Sequence, residues 1–143
     1  NQFNLRTNRY SVDNFKKKYA INNNKIFIFE ISDRFGSAGI TSIVGILKKK
    51  NTLYVNDFVM SCRVFGREIE FGIFHFITKI AKKENIKTIE FDYKKTKKNL
   101  PTIEFLKKTK MKIYKNKFIW KNSKEYTKPN HLKINYNFLD EVK

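Results

Sequence analysis

The chain has 143 residues, 41% of them hydrophobic and 15% aromatic, and its 31 Lys and Arg against 13 Asp and Glu give a net charge of +18. That length and apolar content suit one packed domain and exclude a disordered chain, and no apolar run approaches the roughly 20 residues that a membrane-crossing helix needs. One cysteine excludes an internal disulfide, and two histidines beside it are too few for a structural zinc site.

The basic residues are 26 Lys and only 5 Arg, and with 16 Asn and 17 Ile they have the pattern of an AT-rich coding sequence. Lys clusters at 16–18, 48–50, 94–98 and 107–112 read as scattered rather than as one stripe. Lys also lacks the fork with which Arg fits phosphate and guanine edges. Nucleic acid is therefore not the expected partner, whereas an acidic protein is. The start at Asn1 reads as a piece of a longer chain; no signal-like segment opens it, no membrane is expected, and the cytoplasm is the default location.

In chain order, the alternation Phe3, Leu5, Thr7 fits a short strand within residues 1–10. Ser11-Val-Asp-Asn opens like a capped helix that runs to about Tyr19 and ends at Asn22-Asn-Asn24. Lys25–Ser32 is a strand by its Ile and Phe content. Asp33-Arg-Phe-Gly-Ser-Ala-Gly39 reads as a turn, and Ile40–Leu47 as the next strand. Lys48–Asn51 is a hairpin loop before strand Thr52–Cys62. Arg67–Glu84 carries Ile69, Ile73, Phe76, Ile77 and Ile80 at helical spacing. Lys87–Tyr93 is a strand and Asn99–Lys108 a helix with Pro101 in its first turn. Met111–Tyr114 and Lys117–Trp120 pair across Lys115-Asn116, and the polar tail beyond Asn122 wraps the surface. Three antiparallel strands followed by strand–helix–strand describe a mixed, mostly antiparallel α/β sheet with helices on both faces and one parallel step after residue 52.

The segment between the fourth strand and its helix carries the chemistry. Met60-Ser-Cys-Arg-Val-Phe-Gly-Arg67 places the lone cysteine and Arg63-x-x-Gly66 where a strand hands over to a helix. Unpaired backbone N–H groups and the positive end of the helix dipole converge there, which makes an anion seat. Cys62 beside it is a candidate nucleophile, since the thiolate is the reactive form, although a lone cysteine more often packs in a core. Among the other titratable groups, Glu30, Asp57, Asp92 and His75, none stands out as a general base. Asp57 and Cys62 fall on opposite faces of a regular strand.

Several of these motifs resemble one family. Asn1-Gln-Phe-Asn-Leu-Arg-Thr-Asn-Arg-Tyr10, Asp33-Arg-Phe-Gly36, Met60-Ser-Cys-Arg-Val-Phe-Gly-Arg67 and Tyr93-x-x-Thr96-x-Lys98-Asn99-x-Pro101…Phe105 resemble, in order, the C-terminal domain of FkbH-like proteins. The resemblance implies a GNAT-like (N-acetyltransferase) fold in one domain spanning residues 1–143, preceded in the full family protein by a HAD-type (haloacid-dehalogenase-like) domain. It implies loading of a glyceryl or related acyl group onto the phosphopantetheine arm of an acyl carrier protein, as in polyketide or surface-glycan biosynthesis. Met60, Ser61, Arg63, Val64, Phe65, Gly66, Arg67 and Glu68 would line that arm, Asn99 would touch its pantetheine, and Cys62 would be catalytic. Asn99 is also a good helix cap.

In acetyltransferases of this fold, Arg/Gln-x-x-Gly-x-Gly/Ala presents N–H groups to a pyrophosphate. Here the last position is Glu68, whose carboxylate would repel a diphosphate, so coenzyme A is expected less than a carrier-borne arm. Leu106 stands after Phe105 where many such enzymes place a tyrosine acid, which disfavours ordinary amine acetylation. The alternatives are a catalytically silent carrier-docking module and an acetyl-coenzyme A-dependent N-acetyltransferase.

Overall fold

A computed structural model of the chain describes residues 3–5, 12–21, 24–121 and 124–136. The elements follow the order expected from the sequence: β1 (Phe3–Asn4), α1 (Val12–Tyr19), β2 (Asn24–Asp33), β3 (Gly36–Lys49), β4 (Thr52–Met60), α2 (Ile69–Lys83), β5 (Thr88–Asp92), α3 (Leu100–Lys108), β6 (Lys112–Tyr114) and β7 (Lys117–Lys121). They build a seven-stranded sheet of order β2-β3-β4-β5-β7-β6, in which β1 joins β4 outside that path. Only β4 and β5 run parallel among the described strands, bridged by α2.

Three boundaries differ from expectation. The β2–β3 connection is a tight turn at Arg34-Phe35 rather than a loop reaching Gly39, because Asp33 Oδ1 accepts the Phe35 N–H at 2.8 Å and closes the chain at once. The β4 strand ends at Met60, and Cys62–Val64 form a 3-10 turn instead of continuing it. The α2 helix starts at Ile69, two residues late, since Glu68 takes a left-handed conformation (φ 60°, ψ 23°). Thr7, Ser11 and Asn22-Asn23 lie outside the described residues.

The core is aromatic. Phe105 of α3 meets Phe3, Phe58, Phe71 and Phe74 at ring-centroid distances of 5.3–6.1 Å, all inclined rather than stacked, as ring quadrupoles prefer. The opposite face of the sheet holds α1. There Asp57, 4% exposed, accepts the Tyr19 hydroxyl and pairs with Lys18 Nζ at 2.9 Å. Gly45 stands opposite Asp57 in the ladder, and a Cβ there would come within 2.0 Å of the Tyr19 hydroxyl oxygen. Only glycine lets the phenol through to the carboxylate.

The parallel step sets up the functional end of the sheet. The β4 and β5 strands pair only through Val55 and Phe91, then separate. The gap is filled by the chain's own N-terminal strand. Phe3 and Asn4 pair with Met60 and Val59, Leu5 N–H donates to Phe58 O at 3.0 Å, and Leu5 O accepts Lys94 N–H at 3.0 Å. Phe3 and Leu5 are each 1% exposed, so backbone and side chains seal the gap together.

Candidate functional site

The last ladder contact of β4 is Ser61 N–H to Thr41 O at 2.8 Å. Ser61 Oγ then accepts Arg63 N–H at 3.3 Å, and Val64 and Phe65 N–H close the 3-10 turn onto Ser61 and Cys62 carbonyls. Val64 is fully buried and pins the turn to the core, with Phe65 packed on Phe3 at 6.3 Å. Gly66 follows with φ 79°, a conformation that other residues adopt only with strain. Cys62 faces outward and is exposed, so it is not a packing cysteine.

Both arginines of the turn are tied to the β2–β3 hairpin, and Arg63 Nε also donates to Ser61 Oγ at 3.2 Å. The Arg63 guanidinium donates to Ala38 O at 3.1 Å and Ile40 O at 3.2 Å. Arg67 donates to Asp33 at 2.6 Å. The Asp33 carboxyl is held below its ordinary value, first by the Phe35 N–H and then by Arg67. The motifs Asp33-Arg-Phe-Gly36 and Arg63-x-x-Gly-Arg67 therefore meet in space and brace the turn against the β2–β3 hairpin.

Asn99 is buried and makes no side-chain cap to α3. Its Oδ1 accepts Tyr93 O–H at 3.1 Å, Thr96 N–H at 2.8 Å and Thr96 O–H at 3.1 Å, while its amide donates to Asn4 O at 3.1 Å and Lys94 O at 2.8 Å. Thr102 Oγ1 accepts Asn4 N–H at 3.0 Å. The start of α3 thus holds both the N–H and the C=O of Asn4. In this arrangement Asn99 holds β1 in the gap.

An open cavity of about 660 Å³ begins where the turn ends, lined among others by Gly66, Glu68, Glu70, Phe71, Lys108 and Tyr126. Met60, Ser61, Cys62, Arg63, Val64, Phe65, Arg67 and Asn99 are not among its lining. Glu70 lies in the first turn of α2, where burial raises its carboxyl above the ordinary value. Its own backbone N–H opposes that shift, the nearby Glu68 adds to it, and Lys108 lowers it. One Glu70 oxygen is buried without a hydrogen-bond partner. The phenol of Tyr126 is likewise raised, by burial and then by Glu68.

Tyr126 arrives from the C-terminal tail, which straps α2. Its N–H donates to Thr78 Oγ1 at 2.9 Å, its carbonyl meets His75 Nδ1 at 2.5 Å, and its ring packs on Phe71, Phe74 and Trp120. His75 is thus a half-buried tether for the tail. Glu70 and Tyr126 are residues that sequence reasoning passed over. A second carboxylate two positions after Glu68 was the signal for one, whereas no local signal marked the other. Among the described residues, no group of His, Cys, Asp and Glu could hold a metal ion.

No protein-family model matches the sequence, and no curated protein matches it. Solved structures do match the fold. A GNAT-family acetyltransferase of Staphylococcus aureus Mu50 aligns with TM-score 0.59 at 14% identity, covering 78% of this chain and 75% of that one. A Bacillus subtilis acetyltransferase solved in complex with CoA aligns with TM-score 0.55 at 12% identity over 72% of this chain, which spans 63% of that protein. The ribosomal-protein-S18-alanine N-acetyltransferase of Escherichia coli aligns with TM-score 0.55 at 6% identity, covering 80% and 77%. The chain therefore has the GNAT fold: a mixed, mostly antiparallel sheet with one parallel step. No helix among the described residues is long and apolar enough to cross a membrane.

Proposed function

We propose that this chain is an acyltransferase domain that takes its acyl group as a thioester on the phosphopantetheine arm of an acyl carrier protein, at the β4–α2 turn. The observation that carries this is the exposed sulfur of Cys62 on a braced turn, four residues before the cavity that opens at Gly66. In the proposed step the Cys62 thiolate attacks the thioester carbonyl. The bond to the arm's sulfur breaks, and the arm leaves as a thiol, taking up the proton that Cys62 released. A carrier suits the site better than free coenzyme A because Glu68 and Glu70 already set negative charge at the α2 N-terminus. A diphosphate would meet two carboxylates there. The FkbH-like resemblance, which implies an acyl group loaded onto a carrier's arm, is consistent with a carrier protein as partner and with an upstream HAD-type domain in a longer protein.

Incubation with acyl-loaded carrier should add the acyl mass to the chain, and Cys62→Ala should abolish the adduct. Acyl transfer that continues unchanged in Cys62→Ala would remove the relay through sulfur. A second reading is an acetyl-coenzyme A-dependent N-acetyltransferase, favoured by the fold shared with an acetyltransferase solved with CoA and by Glu70 and Tyr126 as base and acid in one cavity. Calorimetric titration with coenzyme A up to about 1 mM, the upper end of ordinary substrate affinities, decides between them. Saturable binding of the free cofactor would favour the second reading.

A further inference from the structure

The positive charge is concentrated. Residues 93–124 contain twelve lysines and one carboxylate, Glu104. The fold joins segments that look separate in sequence. Strand β5 pairs with β7, placing Asp92 opposite Lys117, and Tyr93 N–H donates to Asn116 O at 3.0 Å. The β6–β7 hairpin turn therefore lies against the β5–α3 loop. Lys94, Lys95, Lys97 and Lys98 on the loop and Lys115 on the hairpin turn are all exposed. They form one ridge, not scattered clusters.

Large apolar side chains stand in the same two segments: Leu100 is 51% exposed and Tyr114 63%. Exposed positive charge beside exposed apolar side chains is the complement of an acidic protein face that presents an apolar residue. Nucleic acid is a poorer match. No arginine occurs after Arg67, so the ridge has none of the planar forks that grip phosphates and bases.

The ridge also has a defined relation to the candidate site. Lys94 N–H bonds one edge of β1, and Met60 and Val59, just before the turn, pair with the other. Loop and β4 thus flank β1 about two strand spacings, roughly 10 Å, apart beside Phe58 and Val59, and the turn follows at the end of β4.

We propose that the ridge formed by Lys94, Lys95, Lys97, Lys98 and Lys115, with Leu100 and Tyr114, is the docking surface for an acidic protein whose reactive group is delivered across β1 to the Cys62 turn. The inference rests on the acyl-carrier reading for what the partner delivers, and on the structure for where it docks.

The test uses the full chain and a purified acidic acyl carrier protein in its apo form, which lacks the arm, so that surface binding alone is read. Lys94, Lys95, Lys97 and Lys98 are changed together to Gln in one variant. A second variant changes Lys49, Lys50, Lys79 and Lys82 to Gln, removing the same charge around the opposite end of the sheet. The ridge variant should lose about tenfold or more in affinity and the control about twofold or less, with both differences shrinking as salt rises.

Equal losses in the two variants would overturn the ridge, as would no carrier binding by the unaltered chain. Tighter binding of a 20-nucleotide single strand than of the carrier at physiological salt would reassign it to nucleic acid. Carrier binding with no transfer from acyl-loaded holo-carrier keeps the ridge and sinks the transfer reading. Transfer with an unchanged KM in the ridge variant sinks the ridge alone.

Discussion

Two openings at the C-terminal end of β4 are handled in opposite ways. The gap where β4 and β5 part is closed by β1, with paired backbone, Phe3 and Leu5 buried, and Asn4 clamped by Asn99 and Thr102. The space between the start of α2 and the tail is left open, lined by carboxylates and aromatic rings and bordered by a turn whose cysteine is exposed. Diverging strands expose unpaired N–H and C=O groups, which need partners wherever water is excluded. Here the chain supplies its own. The closed and the open region respond to different mutations.

The largest effect should come from Phe3→Ala. It removes a 1% exposed ring that touches Phe58, Phe65 and Phe105, and such truncations cost about 3–5 kcal/mol. Urea denaturation should show the midpoint falling steeply. If stability barely changes, β1 is not part of the folded core and the closed gap is wrong.

Next in size is Asn99→Ala. It strips the Asn4 and Lys94 carbonyls of a donor and the Tyr93 hydroxyl of an acceptor, and the buried group left unpaired costs about 1–3 kcal/mol. Thr102→Val is the finer probe, since it preserves shape and removes the hydroxyl that accepts Asn4 N–H, for about 1–2 kcal/mol. The two losses should not add, because both substitutions act on the same two-residue strand. Strict additivity in the double mutant would argue that the clamps work independently of β1.

How legible this was depends on the range of the interaction. The α2 stripe Ile69, Ile73, Phe76 and Ile77 and the hairpin at Lys115-Asn116 are local periodicities, and they appear where expected. Even the parallel step followed from strand–helix–strand order. Residues whose meaning depends on a distant partner were not legible. Arg63 looks like an anion ligand until the hairpin brings Ala38 and Ile40 carbonyls to it. Asn99 looks like a cap or a ligand until Asn4, 95 positions away, arrives between β4 and β5. The lysines at 94–98 and 115 look like separate runs until β5 and β7 pair. Tyr126 belongs to a tail whose polar composition hides the aromatic strap it forms on α2.

The open region predicts a smaller effect of opposite sign. Glu70 has a raised carboxyl pKa because burial penalises its charged form, so the folded protein keeps that proton at pH values where the unfolded chain has released it. Stability from this group is therefore complete below the ordinary carboxylate value. It falls as pH rises from there through the raised native value, then stays at the lower level. Glu70→Gln cannot titrate and should remove that fall: at neutral pH its Tm should exceed that of the unaltered chain, and near pH 3 the two should converge. The closed region shows no such crossover, because Asn99 and Thr102 do not ionise. A Glu70→Gln chain less stable at pH 7 would mean that the ionised carboxylate is well partnered, and the cavity would lose its candidate base.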